Sequence, residues 1–269
     1  MVTGGASGIG RAMAEAFLAE GMAVLVADIE GPRLAETADA LAARGGRVIA
    51  VRCDVSRAED VEALADRAWA ELGRVDVLCN NAGVASGGPI WQHTVADWEW
   101  LLGVNLWGVI HGVRVFVPRM LAQGGEGHIV NTASMSGLVT GPFMGMYNVS
   151  KQGVVALSET LHKDLALTGA SLHVSVLCPG FVRTAIADAD RNRPGGRGAS
   201  EQTGHPLQDL ARAAVAGGVD PALVARAVVE AIRTRRFYIL THPEMLGAFR
   251  ERATDILEGR TPSTVVQFV

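Results

Sequence analysis

The sequence predicts an α/β fold: a doubly wound parallel sheet of about seven strands, with helices on both faces and a truncated first strand. Three observations carry this expectation. Short apolar runs rich in Val, Ile and Leu alternate with longer Ala/Leu/Glu/Arg stretches at helical spacing. The apolar runs are nearly continuous rather than alternating with polar residues, as in parallel strands covered on both faces. A glycine-rich turn, "TGGASGIG", leads at once into the helical pattern "RAMAEAFLAEG".

In chain order, the first strand is confined to "MVT", and a helix is expected over 8–20. Strands follow at 23–27 (AVLVA), 47–52 (RVIAVR), 75–79 (VDVLC), 128–133 (HIVNTA), 173–178 (HVSVLC) and 236–240 (RFYIL). Helices are expected over 31–44, 57–72 and 151–167. The first strand is central in such a sheet, so its brevity removes ladder bonds and apolar burial; a trimmed or mis-assigned start is the expected reason. Residues 185–219 break the rhythm, polar and glycine-rich at first, with a short helical pattern near 206–215. A long excursion between a strand and the next helix reads as a lid-like loop within a single domain spanning 1–269.

Composition narrows the function classes. Hydrophobic residues make up 49% and charged residues 19% of the 269 positions, enough for a sizeable core and unlike a disordered chain. With 24 Lys+Arg against 28 Asp+Glu, the net charge of −4 gives no electrostatic reason to expect nucleic acid or an anionic membrane as partner. The clusters Arg191/Arg193/Arg197 and Arg233/Arg235/Arg236 read as solvated surface. Cys53, Cys79 and Cys178 lie in apolar runs without metal-ligand spacing, which suggests buried reduced thiols and a cytoplasmic location. No signal peptide is visible. The most membrane-like stretch, 101–118, contains Asn105, His111 and Arg114, so a helix buried in protein is expected there. His93, His111 and His162 lack partners at metal-binding spacing, and no metal is expected.

Gly4, Gly8 and Gly10 fall in the turn before the first helix, where backbone N–H groups and the helix N-terminus suit a pyrophosphate. Asp28 follows 18 residues after Gly10, just past a strand. An acid there accepts both hydroxyls of an adenosine ribose and repels a 2′-phosphate. The same residue type also caps helices, and one is expected to start near Pro32. Asp54 and the "NNAG" of 80–83 again follow strands, along the edge where open parallel sheets bind ligands.

"YNVSK" sets Tyr147 and Lys151 one helical turn apart. A nearby ammonium favours the phenolate and is expected to bring the tyrosine pKa down toward neutrality. Ser134 follows a strand, in position to hold a carbonyl oxygen beside the tyrosine. On its own, a Tyr/Lys pair at this spacing reads first as an ordinary amphipathic helix surface.

Taken together, the chain resembles the short-chain dehydrogenase/reductase family, in its single-domain, Rossmann-like branch. The resemblance rests on Thr3-Gly4…Gly8-Ile9-Gly10, Asp54-Val55, Asn80-Asn81-Ala82-Gly83, Asn105, Ser134, Tyr147…Lys151 and Pro179-Gly180…Thr184, all in order. It implies that Tyr147 exchanges a proton with the substrate oxygen and that Ser134 orients that oxygen. Lys151 would lower the tyrosine pKa and hold the nicotinamide ribose, and Asn105 would hold a water behind Lys151. Ser7, Gly8, Ile9, Asp28, Val55, Asn81, Ala82 and Gly83 would contact the cofactor, with Pro179, Gly180, Val182 and Thr184 lining the nicotinamide. Asp28, and Ser7 in place of a basic residue, imply NAD. A homotetramer or dimer packed through helices around 97–120 and 151–167 is also implied.

Phe143, Met144, Met146 and Phe181 flank the catalytic positions, and Trp91 falls where the family's pocket wall begins. Such a pocket suits a hydrophobic secondary alcohol or ketone, although the same residues serve equally as lid or core packing. Trp98, Trp100 and Trp107 read as helix packing or subunit contact. The expected function is therefore NAD-dependent hydride transfer with Tyr147 as general acid/base. The alternatives are an NADPH-linked 3-oxoacyl reductase of the same fold and a non-catalytic nucleotide sensor or scaffold.

Overall fold

A computed structural model describes residues 1–195 and 206–263. The elements run β1 (Val2–Thr3), α1 (Gly8–Ala19), β2 (Val24–Asp28), α2 (Gly31–Ala42), β3 (Val48–Arg52), α3 (Ala58–Leu72), β4 (Val77–Asn80) and α4 (Val95–Leu102). They continue with α5 (Gly108–Gln123), β5 (Gly127–Thr132), α6 (Gly145–Leu167), β6 (Leu172–Cys178), α7 (Pro206–Ala216), α8 (Pro221–Thr234), β7 (Tyr238–Leu240) and α9 (Leu246–Glu258). The seven strands form one parallel sheet in the order β3-β2-β1-β4-β5-β6-β7. The order reverses between β1 and β4, which opens a crevice at the carboxyl ends of the strands.

Strand periodicity sorts the core into two layers. Leu25 and Ala27 of β2 face a layer with Leu64, Phe116, Met120 and Ile129, whereas Val24 and Val26 face Met13, Phe17, Val130, Leu177 and Val228. The short β1 holds the centre: Val2 pairs with Val26 on one side and Cys79 on the other, and Thr3 pairs with Ala27. Cys53, Cys79 and Cys178 are buried free thiols.

The apolar stretch expected as a buried helix is part of a 29-residue helical run, Val95–Gln123. Leu101, Phe116 and Met120 within it are fully buried. Gly112 lets it approach the sheet, because a Cβ there would lie 2.0 Å from Asn80 Oδ1. A π turn over Gly103–Trp107 divides the run into α4 and α5, closed by Gly108 N–H donating to the Gly103 carbonyl. No local pattern in the residues marks that turn, and π turns are often found at functional sites. Helix α6 begins at Gly145, ahead of the expected 151, so Tyr147 and Lys151 both lie in its first two turns. Helices α8 and α9 were not anticipated.

Candidate active site

The loop after β1 is shaped by contacts that only glycine allows. Gly4 and Gly8 have φ of +64° and +54°, and a Cβ on Gly10 would stand 2.1 Å from the Gly4 carbonyl oxygen. Thr3 ties this loop to the end of β4. Its Oγ1 accepts from Asn81 N–H at 2.9 Å and Ala82 N–H at 3.1 Å, and Asn81 Nδ2 donates to the Thr3 carbonyl at 3.0 Å. Helix α1 then begins without a side-chain cap from Ser7, and Gly8, Ile9 and Gly10 line the crevice at its N-terminus. That arrangement presents helix-end N–H groups to an anion.

Asp28 bonds the same loop. Its Oδ2 accepts from Ala6 N–H and its Oδ1 from Glu30 N–H, each at 3.0 Å. A carboxylate has about four acceptor sites, so two remain for ribose hydroxyls. Helix α2 starts at Gly31 with Glu30 at its N-cap, so Asp28 is not that helix's cap. Asp54 accepts from Ser56 N–H at 3.0 Å and from Ser56 Oγ at 2.7 Å.

These residues line a single cleft of about 880 Å³. Gly4, Ser7, Gly8, Ile9, Gly10, Asp28, Asp54, Val55, Asn81, Ala82 and Gly83 form one end. Ser134, Phe143, Met144, Tyr147, Lys151, Pro179, Gly180, Phe181, Val182 and Thr184 form the other. Asn105, expected at the site, lies behind the wall, wholly buried in the π turn. Its Oδ1 accepts from Val84 N–H at 2.8 Å, and its Nδ2 donates to the Val84 carbonyl at 2.9 Å and to Ser150 Oγ at 3.2 Å. Ser150 Oγ in turn donates to the Tyr147 carbonyl at 2.8 Å. The Asn105 side chain thus spends both amide donors on holding the Val84 backbone and α6, rather than on the cleft.

Tyr147, Lys151 and Ser134 are each at most 9% exposed. Ser134 lies near enough to the Tyr147 hydroxyl to act on its pKa, and its Oγ accepts from Ser136 N–H at 3.1 Å and donates to the Pro179 carbonyl at 3.4 Å. The Lys151 ammonium lies 5.6 Å from the Tyr147 ring centroid and donates to the Thr132 carbonyl at 3.0 Å. Burial brings the Lys151 ammonium down to about 8, with Cys178 nearby working the other way. Burial also raises the Tyr147 phenol, against the lowering effect of Ser134. The lowering expected from the ammonium is not seen in the protein alone: desolvation of the phenolate dominates, and the opposing effect comes from Ser134 rather than Lys151.

The Pro179–Thr184 loop is braced by a residue that sequence reasoning missed. His242, 5% exposed, accepts from Gly180 N–H through Nδ1 at 2.9 Å, and its Nε2 lies 3.0 Å from the Phe181 carbonyl. Phe143 sits at φ +59°, a left-handed conformation costing about 1–2 kcal/mol for a residue with a Cβ. Trp91, expected in the pocket wall, is 80% exposed on a short turn and does not line the cleft; Met146 is core. Trp100 lines the cleft instead of only packing its helix.

Residues 185–194 line the cleft, and two of the arginines read as solvated surface are ion-paired there. Arg193 is buried, pairs with Asp97, lies 3.3 Å from Asp190 and stacks 4.2 Å over the Trp100 ring. Arg191 donates to Glu30. Burial works to raise the Glu30 carboxyl, but hydrogen bonds from Arg191 and Asn192 hold it below its usual range. Arg197 lies outside the described residues. Arg233 and Arg235 are surface residues paired with Glu20 and Glu126.

Known proteins agree with this arrangement. A family model for short chain dehydrogenase matches residues 1–194. A short-chain dehydrogenase/reductase from Burkholderia phymatum, solved in complex with NAD, has a TM-score of 0.96 and 47% identity, covering 99% of this chain and 96% of that one. The 1-deoxy-11-beta-hydroxypentalenate dehydrogenase of Streptomyces exfoliatus is 37% identical, over 95% of this chain and 87% of its own length. A CLA biosynthesis dehydrogenase/reductase of Lactiplantibacillus plantarum is 32% identical, over 97% of this chain and 93% of its own. With a parallel sheet of this order and relatives aligned along nearly its whole length, the chain belongs to the short-chain dehydrogenase family and is an oxidoreductase acting on CH–OH groups.

Proposed function

We propose that this protein is an NAD-dependent dehydrogenase that moves a hydride between the nicotinamide and a hydrophobic secondary alcohol or its ketone. The observation that carries the reading is the shared cleft: Asp28 and the glycine loop at one end, Ser134 and Tyr147 beside Lys151 at the other. The glycine loop lines the cleft at the uncapped N-terminus of α1, which suits a pyrophosphate, and Asp28 keeps acceptor sites for an adenosine ribose while opposing a 2′-phosphate. The Burkholderia relative's complex with NAD supports the same cofactor. When bound, NAD supplies the hydride acceptor.

In the oxidative direction, Tyr147 as phenolate takes the alcohol proton while the carbinol C–H leaves as hydride. Ser134 donates a hydrogen bond to the substrate oxygen, holding it within reach of the tyrosine. Lys151 places its positive charge beside the phenolate and favours that form. Asn105 fixes the Val84 backbone and, through Ser150, the start of α6, and so sets the position of Tyr147. Phe143, Met144, Trp100, Phe181 and Met245 make the substrate end largely apolar, and its Arg193 is already neutralised by Asp97. Residues 185–195 act as a lid within a single-domain chain. A relative named as a hydroxypentalenate dehydrogenase supports an alcohol substrate. Buried free thiols support a cytoplasmic setting. Exposed Trp107 and Val149, on the α5 and α6 side, support a homo-oligomer.

The test is turnover of a panel of hydrophobic secondary alcohols with NAD. Tyr147→Phe is expected to lower kcat at least about 100-fold while leaving NADH affinity nearly unchanged. A variant with normal turnover would refute the assignment of Tyr147.

A further inference from the structure

The segment after Thr184 does more than border the substrate end. It starts against the glycine loop, because a Cβ on Gly8 would stand 2.9 Å from Thr184 Cγ2. It then runs back to the end of β2, where Arg191 donates to one carboxylate oxygen of Glu30 through Nε at 3.1 Å and through Nη2 at 2.7 Å. Asn192 Nδ2 donates to the same oxygen at 2.9 Å, and Arg33 lies 3.5 Å from the other. Glu30 is two residues from Asp28, and its N–H bonds the Asp28 carboxylate.

Arg191 is also held from its own side. Its Nη1 donates to the carbonyls of Ala185 and Asp188, each at 2.9 Å, so the guanidinium is fixed by the turn that carries it before it reaches across. A pair arranged in this way loses little side-chain entropy on forming, unlike most surface ion pairs. Both partners are mostly shielded, with side-chain exposures of 29% for Arg191 and 21% for Glu30.

The geometry points to Glu30 and Arg191 as positioning residues that close the cleft over the adenosine half of the dinucleotide and slow its release. A pyrophosphate on the Gly8 loop and a ribose on Asp28 lie between the two anchors of this strap, Thr184 at Gly8 and Arg191 at Glu30. The cofactor leaves only after the Arg191–Glu30 contact opens, so the contact acts on dissociation rather than on hydride transfer. The inference rests on the NAD reading of the cleft.

The experiment is stopped-flow displacement of NADH from wild type, Glu30→Gln, Arg191→Gln, the double variant and Arg191→Lys, with thermal midpoints measured alongside. Each glutamine variant is expected to release NADH about three- to tenfold faster, with association nearly unchanged. The double variant should be no faster than either single, because both remove the same contact. Arg191→Lys keeps the charge but not the four-way fork, and falls between. Unchanged release in folded variants, or full additivity in the double variant, overturns the strap while leaving the NAD reading intact. Failure of the wild type to bind NADH overturns both.

Discussion

The Lys151 ammonium donates to the Thr132 carbonyl oxygen at 3.0 Å, from one helical turn beyond Tyr147 to the last residue of β5. This bond fixes a buried cation between the sheet and the catalytic tyrosine, and it draws a pH dependence into the stability of the fold.

Lys151 titrates at about 8 in the folded protein, against an ordinary value of 10.5, because it is buried. Below pH 8 both folded and unfolded chains carry the proton, and the folded state bears the full cost of the buried charge. Between pH 8 and 10.5 the unfolded chain holds more protons, so this contribution to stability rises with pH, by about 3 kcal/mol in all. Cys53, Cys79 and Cys178, each raised to about 12 by burial, act in the opposite sense above pH 9, where unfolded thiols ionise first. The difference between wild type and Lys151→Met cancels the thiols. In urea unfolding, Lys151→Met should gain on wild type below pH 8, and the gap should close toward pH 10.5. A gap independent of pH would mean that Lys151 is not a buried titrating charge.

Asp28 is expected to set the choice of cofactor. Asn in its place removes the charge but keeps one acceptor for the Ala6 or Glu30 N–H. The ratio of NADPH to NADH dissociation constants should fall at least about tenfold, equivalent to about 1.4 kcal/mol. Fluorescence titration with each nucleotide measures it. An unchanged ratio would locate the discrimination elsewhere on the adenosine wall.

Much of this site was legible because its signals are local. The glycine loop, the strand-end Asp28, Asp54 and Ser134, and the one-turn spacing of Tyr147 and Lys151 need only short stretches and standard geometry. The π turn at Asn105 was not legible: "GVNLW" carries no composition cue, and Asn105 is held there by Val84 and Ser150 from elsewhere in the fold. The start of α6 was missed for a related reason. Asn148, Val149 and Ser150 are weak helix formers, and burial of Met146, Tyr147 and Lys151 overrides that preference. The arginines were misread most sharply. A run of basic residues reads as solvated, yet Arg191 meets Glu30 161 positions away and Arg193 meets Asp97 96 away. Local charge patterns hold no record of such pairings.

The Arg193–Asp97 pair leads to a third prediction. Each side chain is 6% exposed, and Asp97 also accepts from Thr94 N–H and Oγ1 at 2.8 Å, closing the capping box of α4. Arg193→Ala leaves the Asp97 charge buried with only the Thr94 bonds and removes the cover from Trp100. Breaking one side of a buried pair costs about 3–5 kcal/mol. The KM for the alcohol should rise more than the KM for NAD, since Trp100 borders the substrate end. Urea unfolding and initial rates test both parts. Wild-type stability, or a rise confined to the NAD KM, would count against this role.

His242 gives the last prediction, because it holds the nicotinamide-side loop from behind. Its Nδ1 accepts from Gly180 N–H, so the ring hydrogen sits on Nε2 and is donated to the Phe181 carbonyl. The packing is close: a Cβ on Gly180 would come within 2.7 Å of His242 Cγ and 2.6 Å of Met245 Sδ. His242→Leu leaves the Gly180 donor without this partner, at a cost of up to about 1–3 kcal/mol, whereas the Phe181 carbonyl keeps its bond from Val219 N–H at 3.0 Å. His242→Asn puts an acceptor oxygen near the position of Nδ1 but does not reach Phe181. The order of NAD KM values should therefore be wild type, then His242→Asn, then His242→Leu, with kcat affected less than KM. Equal KM values in Asn and Leu variants would show that the Gly180 bond does not hold the loop, and that His242 acts there only by filling space against Met245.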